Sequence, residues 1–490
     1  MLRESRMEAH VRTYTPPDAA GAFAAFLASE PGYLDTGVLD ELRESDYGRL
    51  DRLGHVYLDY TGGGLYAASQ IRRHMAMLED HVLGNPHSDN PTSMASTHFV
   101  DEARDAVLAF FSADPAEYDV VFTANASGAL KLVGESYPFC EGGRFLLTYD
   151  NHNSVNGMRE FARRAGAAVT YLPVGDPELR LDPAMVTAEL QTAGSGCGLF
   201  AFPAQSNFSG VQHPLEMIDE AHALGWDVLL DCAAFAPTNR LDLSAIKPDF
   251  VPLSFYKMFG YPTGIGALIV RREKLSKLRR PWFAGGTITL ASVQGAGWHH
   301  LASGHVGFED GTVDYLGLPA VHIGLDHLSA IGIDVIHQRV ASLSRWLLGE
   351  MTAVTHGDGS PLVRIFGPAT TECRGATIAF YLLAPDGTPY DVDAMELSAG
   401  RRLISLRTGC FCNPGDGEVA HRITRDDMAE CFAERAQPVT FTECHDIIRD
   451  TTGKMPNTMR VSLGLASNFA DVYRLMEFVA GFRDTPLSAI

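Results

Sequence analysis

Between about residue 100 and residue 270, short apolar runs alternate with helix-like stretches, and this alternation restricts the fold more than any other feature. The runs are DVVFT, RFLLTYD, GLFAFPA, DVLLD, FVPLS and GALIV. Ala103 to Phe111, SGALKLVGE and AHALGW lie among them with helical character. Short uninterrupted apolar runs make strands buried on both faces, and parallel strands need crossovers that return the chain to the same end. The pattern predicts an α/β fold, a mostly parallel sheet with helices on both faces.

After roughly residue 320 the character changes. A long helical stretch from Asp314 to Val354 leaves this unit, followed by a strand signal at ATIAFYLL and helix signals at DAMELSAGRR and FADVYRLMEFVAGF. This predicts a smaller α+β domain, and 490 residues leave room for more than one core. The expected division is an N-terminal segment, 1–50, packing with the small domain, a large domain, 51–335, and a small C-terminal domain, 336–490.

A formal net charge of −21 disfavours nucleic acid and anionic membranes as partners, since both repel it. The chain lacks the roughly 18 consecutive apolar residues that a membrane span needs, and MLRESRMEAHVRTYTPP has no signal-peptide stretch. Eight cysteines do not make a disulfide framework at this length. Only Cys410 and Cys412 are close, and C-x-C without a matching ligand cluster is poor evidence for zinc. The expectation is a cytoplasmic protein without a metal site.

Sites in open α/β sheets lie at the carboxyl ends of strands. Here DVLLD ends in Asp231, and FVPLS runs into Ser254, Phe255, Tyr256 and Lys257. GLFAFPA leads to Asn207, RFLLTYD to His152, and DVVFT to Ala126 and Ser127. Lys257 has apolar neighbours that would lower its amine pKa and favour attack on an aldehyde, although a lone lysine is ordinarily a surface residue. Asp231 reads equally as a surface acid. Ser127 stands at a helix N-terminus that suits a phosphate, or serves as a plain cap.

The ordered series GNPHS, FTANASGALKLV, FPAQSNFSG, LLDCAAFAPT, SFYKMFGYPTGIGAL, FEDGT and RTGCFCNPG resembles the class V aminotransferase superfamily over roughly residues 50 to 470. Within it the series is most similar to the cysteine-desulfurase domain of eukaryotic molybdenum cofactor sulfurases. The resemblance implies an aspartate-aminotransferase-like fold of type I, with pyridoxal 5′-phosphate (PLP) as a Schiff base on Lys257. Asp231 would hold the pyridine nitrogen proton, His152 would stack on the ring, and Asn207 would bond its hydroxyl. Ala126, Ser127 and Ser254 would hold the phosphate, joined by Thr287 from a second subunit, which implies a homodimer. Arg460 would clamp the substrate carboxylate, and otherwise reads as a surface residue.

In RTGCFC the sulfur-acceptor position of the resembled desulfurases falls on Cys412, with Cys410 a bystander. The transfer needs a mobile loop and an exposed thiol, whereas free cysteines are usually buried. The implied reaction converts L-cysteine to L-alanine and leaves a persulfide on Cys412. The chain ends at Ile490 without the further sulfur-transfer domain of the resembled sulfurases, so a separate acceptor protein is expected. LDYTGGGL replaces an alanine-rich stretch, and its glycines are expected to widen the substrate space or loosen the loop. Tyr256 and Ala234 stand where bacterial iron–sulfur desulfurases have histidine and glutamine, which agrees with the sulfurase subgroup. The alternative is a C–S lyase, β-eliminase or aminotransferase of specialised metabolism that keeps Lys257, Asp231 and Arg460.

Overall fold

The computed structural model describes residues 19–192, 197–295, 297–433 and 439–489, so residues 1–18 of the N-terminal segment lie outside the described residues. Seven strands form the large sheet: β1 (Tyr118–Thr123), β2 (Arg144–Thr148), β3 (Ala168–Leu172), β4 (Gly198–Pro203), β5 (Asp227–Asp231), β6 (Phe250–Ser254) and β7 (Gly266–Arg271). Their order is β1-β7-β6-β5-β4-β2-β3. All pairings are parallel except those of β7, which runs antiparallel to β1 and β6. The link Phe255–Ile265 holds one short helix and a turn, too little chain for a crossover, so β7 returns beside β6.

Alternate side chains of the central strands fall into two separate cores. Phe200, Phe202, Val228, Leu230 and Val251 pack on one face, with helices Pro91–Phe110 and Leu318–Ile331 over them. Leu199, Ala201, Leu229, Phe250 and Leu268 pack on the other, under helix Ala126–Ser136. A sheet covered on both faces is what uninterrupted apolar runs require. Edge strand β3 escapes sequence reading because its AVTYL is only partly buried and carries no long apolar run.

The stretch predicted as one long helix is two, Leu318–Ile331 and Ile333–Ala353, broken at Gly332 with φ +90°. That backbone conformation is open to glycine and strained for other residues. Beyond it, β8 (Val363–Phe366), β9 (Thr377–Leu382), β10 (Arg407–Gly409) and β11 (Thr458–Ser462) form an antiparallel sheet in the order β8-β9-β11-β10. The N-terminal segment lies against its helices: Phe26 stacks on Phe469 at 4.8 Å, and Arg43 pairs with Asp471 at 2.5 Å.

One disulfide is present among the described cysteines. Cys431 and Cys444 form a disulfide across 13 residues, because helices Arg425–Ala429 and Phe441–Thr452 fold back on each other. Cys140 and Cys197 approach to 2.8 Å as thiols.

His421 is buried against the four-stranded sheet, bonded to Tyr381 Oη at 2.8 Å and Thr458 Oγ1 at 2.7 Å. Burial, with Arg364 and His445 nearby, pushes its pKa down to about 3. Below its ordinary value of about 6.5 the unfolded chain binds a proton that the folded chain refuses. Stability from this group is therefore complete above that value and lost as pH falls toward the folded one. Between pH 7 and 5 the expected loss is about 2 kcal/mol, absent in a His421→Asn variant. Urea midpoints at both pH values check this; equal losses in the two proteins would show His421 is not the source.

Candidate active site

A cavity of about 160 Å³ opens at the carboxyl ends of β1, β2, β4, β5 and β6. Each strand ends there and hands its next residues to the cavity wall: Ala126 and Ser127, His152, Asn207, Asp231, and Ser254 with Lys257. The structure thus gathers these sequence-predicted residues at one place. A larger open depression of about 950 Å³ near Arg422 and Met428 holds Glu418, Asp426 and Tyr149 but none of the residues gathered at the strand ends.

Lys257 lies in the short helix Phe255–Phe259 that follows β6, half-buried and lining the cavity. Burial pushes its ammonium below the usual lysine range; Asp231 and Cys412 oppose the shift, while Arg460 and Arg407 add to it. Asp231 is buried and accepts from the Ala233 N–H at 3.0 Å, so it is not a surface acid. Burial, Lys257 and Arg460 lower the His152 pKa against the pull of Asp231. Its Nδ1 accepts the Ser154 N–H at 3.1 Å, which puts the proton of the neutral ring on Nε2.

Helix Ala126–Ser136 points its N-terminus at the cavity, but Asn125 rather than Ser127 caps it, accepting the Gly128 N–H at 2.9 Å. The Ser127 hydroxyl instead bonds Ser154 Oγ at 2.6 Å, and Ser254 Oγ accepts the Ala126 N–H at 2.9 Å. Gly266 on β7 allows the close approach of this turn, since a Cβ there would sit 2.5 Å from the Asn125 Cα. Hydroxyls at a positive helix end, a carboxylate and a lysine of lowered pKa form a donor set that fits PLP. Thr287 is not in this wall; it is buried below an exposed hairpin, where its hydroxyl bonds the Ala284 carbonyl at 2.9 Å.

Cys412 is exposed, not a buried structural cysteine, and lies within electrostatic reach of Lys257 and Arg460. Cys410 is more enclosed, and burial raises its thiol pKa. Between them the backbone turns through the left-handed region, with φ +57° at Phe411 and +55° at Cys412. Non-glycine residues adopt it only when their surroundings hold them there. The Asn207 amide donates to the Phe411 carbonyl at 2.7 Å, and the Asn153 N–H to the Cys412 carbonyl at 2.7 Å. Asn413 Nδ2 donates to the Asp150 carbonyl at 2.9 Å. Asn207, expected to face a ring hydroxyl, is therefore also a tether of the cysteine loop.

Arg460 is buried, with Nη2 donating to Asp59 at 3.0 Å and Nη1 to the Asn207 carbonyl at 2.9 Å. Burial and Arg407 bring its pKa down to about 10, against the pull of Asp59 and Cys412. The glycines of LDYTGGGL do not widen this space. A Cβ on Gly64 would lie 2.9 Å from the Lys257 carbonyl oxygen, so the segment is glycine-rich because it packs tightly against the lysine turn.

Sequence reading missed Asp59, Asp150 and Asn413. Asp150 ends the quoted RFLLTYD and pairs with His213 at 2.6 Å, a partner set 63 residues away that no local pattern indicates.

The class-V aminotransferase family model matches residues 56–475. Molybdenum cofactor sulfurase from Solanum lycopersicum is 34% identical over 90% of this chain, which spans 57% of that relative's length. An apo cysteine desulfurase from Thermococcus onnurineus NA1 superposes with a TM-score of 0.72 at 22% identity, covering 90% of this chain and 97% of that one. A cystine C-S lyase in complex with its product cysteine persulfide gives 0.64 at 18% identity, covering 88% and 98%. At such identities these two structures establish a shared fold, the type I arrangement of PLP enzymes. With the family model spanning both sheets and the cysteine loop, the chain belongs to the class-V aminotransferase family.

Proposed function

We propose that the protein is a PLP-dependent cysteine desulfurase that moves sulfur from L-cysteine to Cys412 and releases L-alanine. The observation that carries this reading is the exposed Cys412 thiol on a loop that Asn207, a residue of the Lys257 cavity wall, tethers at Phe411 beside Arg460. Its relatives named molybdenum cofactor sulfurase support sulfur chemistry, though the chain spans 57% of the first such relative.

In this reading Asp231 would hold the proton of the pyridine nitrogen and His152 would stack on the ring. The first turn of helix Ala126–Ser136, with Ser127 and Ser254, would hold the phosphate. PLP, when bound, supplies a sink for the electron pair left at the substrate α-carbon. Lys257 Nζ, with its lowered pKa, takes the α-proton and later returns a proton to carbon. Arg460 binds the substrate carboxylate. The Cys412 thiolate attacks the substrate sulfur; an S–S bond forms as the Cβ–S bond breaks, and the bonding pair stays with carbon. L-cysteine plus the Cys412 thiol thus becomes L-alanine plus the Cys412 persulfide.

A separate acceptor then takes the persulfide sulfur, for which the exposed position of Cys412 is suited. We also propose a homodimer. The hairpin Ile288–Ala291/His299–Leu301 exposes Leu290 (64%), Val293 (99%) and Trp298 (74%), an apolar edge above Thr287 that a second copy would cover. Sedimentation at the mass of one chain would exclude it.

The test is to incubate the PLP-loaded protein with L-cysteine and a thiol reductant, then quantify alanine, sulfide, pyruvate and ammonia. Equal alanine and sulfide is the expected result. Pyruvate and ammonia in place of alanine would make it a C–S lyase, the second reading, which the structural likeness to a cystine lyase keeps in view.

A further inference from the structure

Asp59 and Arg407 have no part in the steps above, yet both are built into the wall beside Arg460. Arg407 and Arg460 face each other as register partners on β10 and β11. Like charges so placed weaken an antiparallel pair. The Asp59 carboxylate sits between them: Oδ1 accepts from Arg407 Nε at 3.1 Å and Arg460 Nη2 at 3.0 Å, and Oδ2 from Arg407 Nη2 at 2.6 Å. Asp59 is itself buried and packed, because a Cβ on Gly62 would fall 2.5 Å from its Oδ2.

On its other side, Arg460 lies over the Phe411 ring at 4.5 Å, and its buried Nε has no partner among the described residues. A buried guanidinium with an unmatched N–H can take a further acceptor, and carboxylates match its geometry. Arg407 opens the strand that runs through Gly409 into Cys410, Phe411 and Cys412.

We propose that Asp59 is a positioning residue that ties Arg460, Arg407 and the Cys412 loop into one unit, so that a carboxylate bound at Arg460 is sensed at Cys412. This rests on the reading that Arg460 receives the substrate carboxylate. An incoming carboxylate competes with Asp59 for one guanidinium and repels it. Asp59 then leans on Arg407, and β10 and the Phe411 ring under Arg460 shift together. The thiol would be brought to the sulfur only when an amino acid is seated.

The experiment measures alkylation of Cys412 by iodoacetamide in the PLP-loaded protein, followed on the Cys412 peptide by mass spectrometry. It is run with and without saturating L-alanine, which has the carboxylate and no sulfur. The expected wild-type rate changes at least threefold on L-alanine binding. In Asp59→Asn and in Arg407→Gln the change falls below about 1.3-fold, while calorimetry still detects L-alanine binding. Asp59→Asn also lowers kcat about tenfold without raising KM for L-cysteine. A merely structural role would reduce the active fraction and leave the alkylation response of the folded molecules intact. A wild type that does not respond, or an Asp59→Asn protein that responds as wild type does, overturns the proposal. The alkylation readout needs no turnover, so a lyase result in the product assay would remove the desulfurase reading and leave this coupling to stand or fall alone.

Discussion

Lys257→Ala is expected to reduce turnover of L-cysteine by at least ~10⁴-fold, roughly 5 kcal/mol in barrier, the largest effect of any single substitution in this protein. Two losses combine. The amine that takes the α-proton is gone, and so is the group that fastens PLP to the chain. Borohydride treatment followed by peptide mapping is expected to fix PLP on the Lys257 peptide of the wild type and to leave the variant unlabelled. The fold should persist. Burial already holds the Lys257 ammonium below its usual range, so it does not favour the charged folded state, and its removal relieves that cost. An unchanged or higher melting temperature of the PLP-free protein, with lost turnover, is the expected pair of results. Partial rescue by a small added amine would localise the defect to proton transfer. Retained turnover would remove Lys257 from the chemistry.

Cys412→Ala is expected to abolish alanine formation by about 10³-fold while L-cysteine still binds, and Cys410→Ala to stay within about threefold of wild type. The contrast rests on placement. Cys412 is exposed, whereas Cys410 is enclosed and burial raises its thiol pKa. A thiol held protonated is a poor nucleophile. Both variants should be assayed for persulfide by mass spectrometry of the intact protein after exposure to L-cysteine. Persulfide on Cys412→Ala, or its loss in Cys410→Ala, would reverse the assignment of the acceptor. If sulfide survives in both, with pyruvate and ammonia in place of alanine, the loop is incidental and the chemistry belongs to a lyase.

Asp231, Lys257, His152 and Ser254 were legible because each ends an apolar strand or lies within four residues of its end, and strand ends share one edge of a parallel sheet. Local chemistry could indicate that Ser127 stood at a helix N-terminus. It could not indicate that Asn125 took the capping role, since capping depends on which side chain the turn directs inward. Six of the seven strands of the large sheet are visible as apolar runs, and β3 is not, because an edge strand is only partly covered. The antiparallel direction of β7 follows from the shortness of the link after Lys257, which sequence length shows but strand hydrophobicity does not.

What the sequence by itself determined is the layered α/β plan and the identity of the groups at the strand ends. Both come from short-range rules of apolar run, turn and crossover length. What only the tertiary structure decided is how distant segments meet. Asp59 bridges arginines 348 and 401 residues away, Asn207 holds the Phe411 carbonyl across 204 residues, and the LDYTGGGL glycines fit against the lysine turn. Packing and charge pairing act through space, and their partners carry no mark in the neighbouring sequence. The same physics leaves Cys412 in the open and encloses Cys410, two thiols with a single residue between them whose surroundings differ.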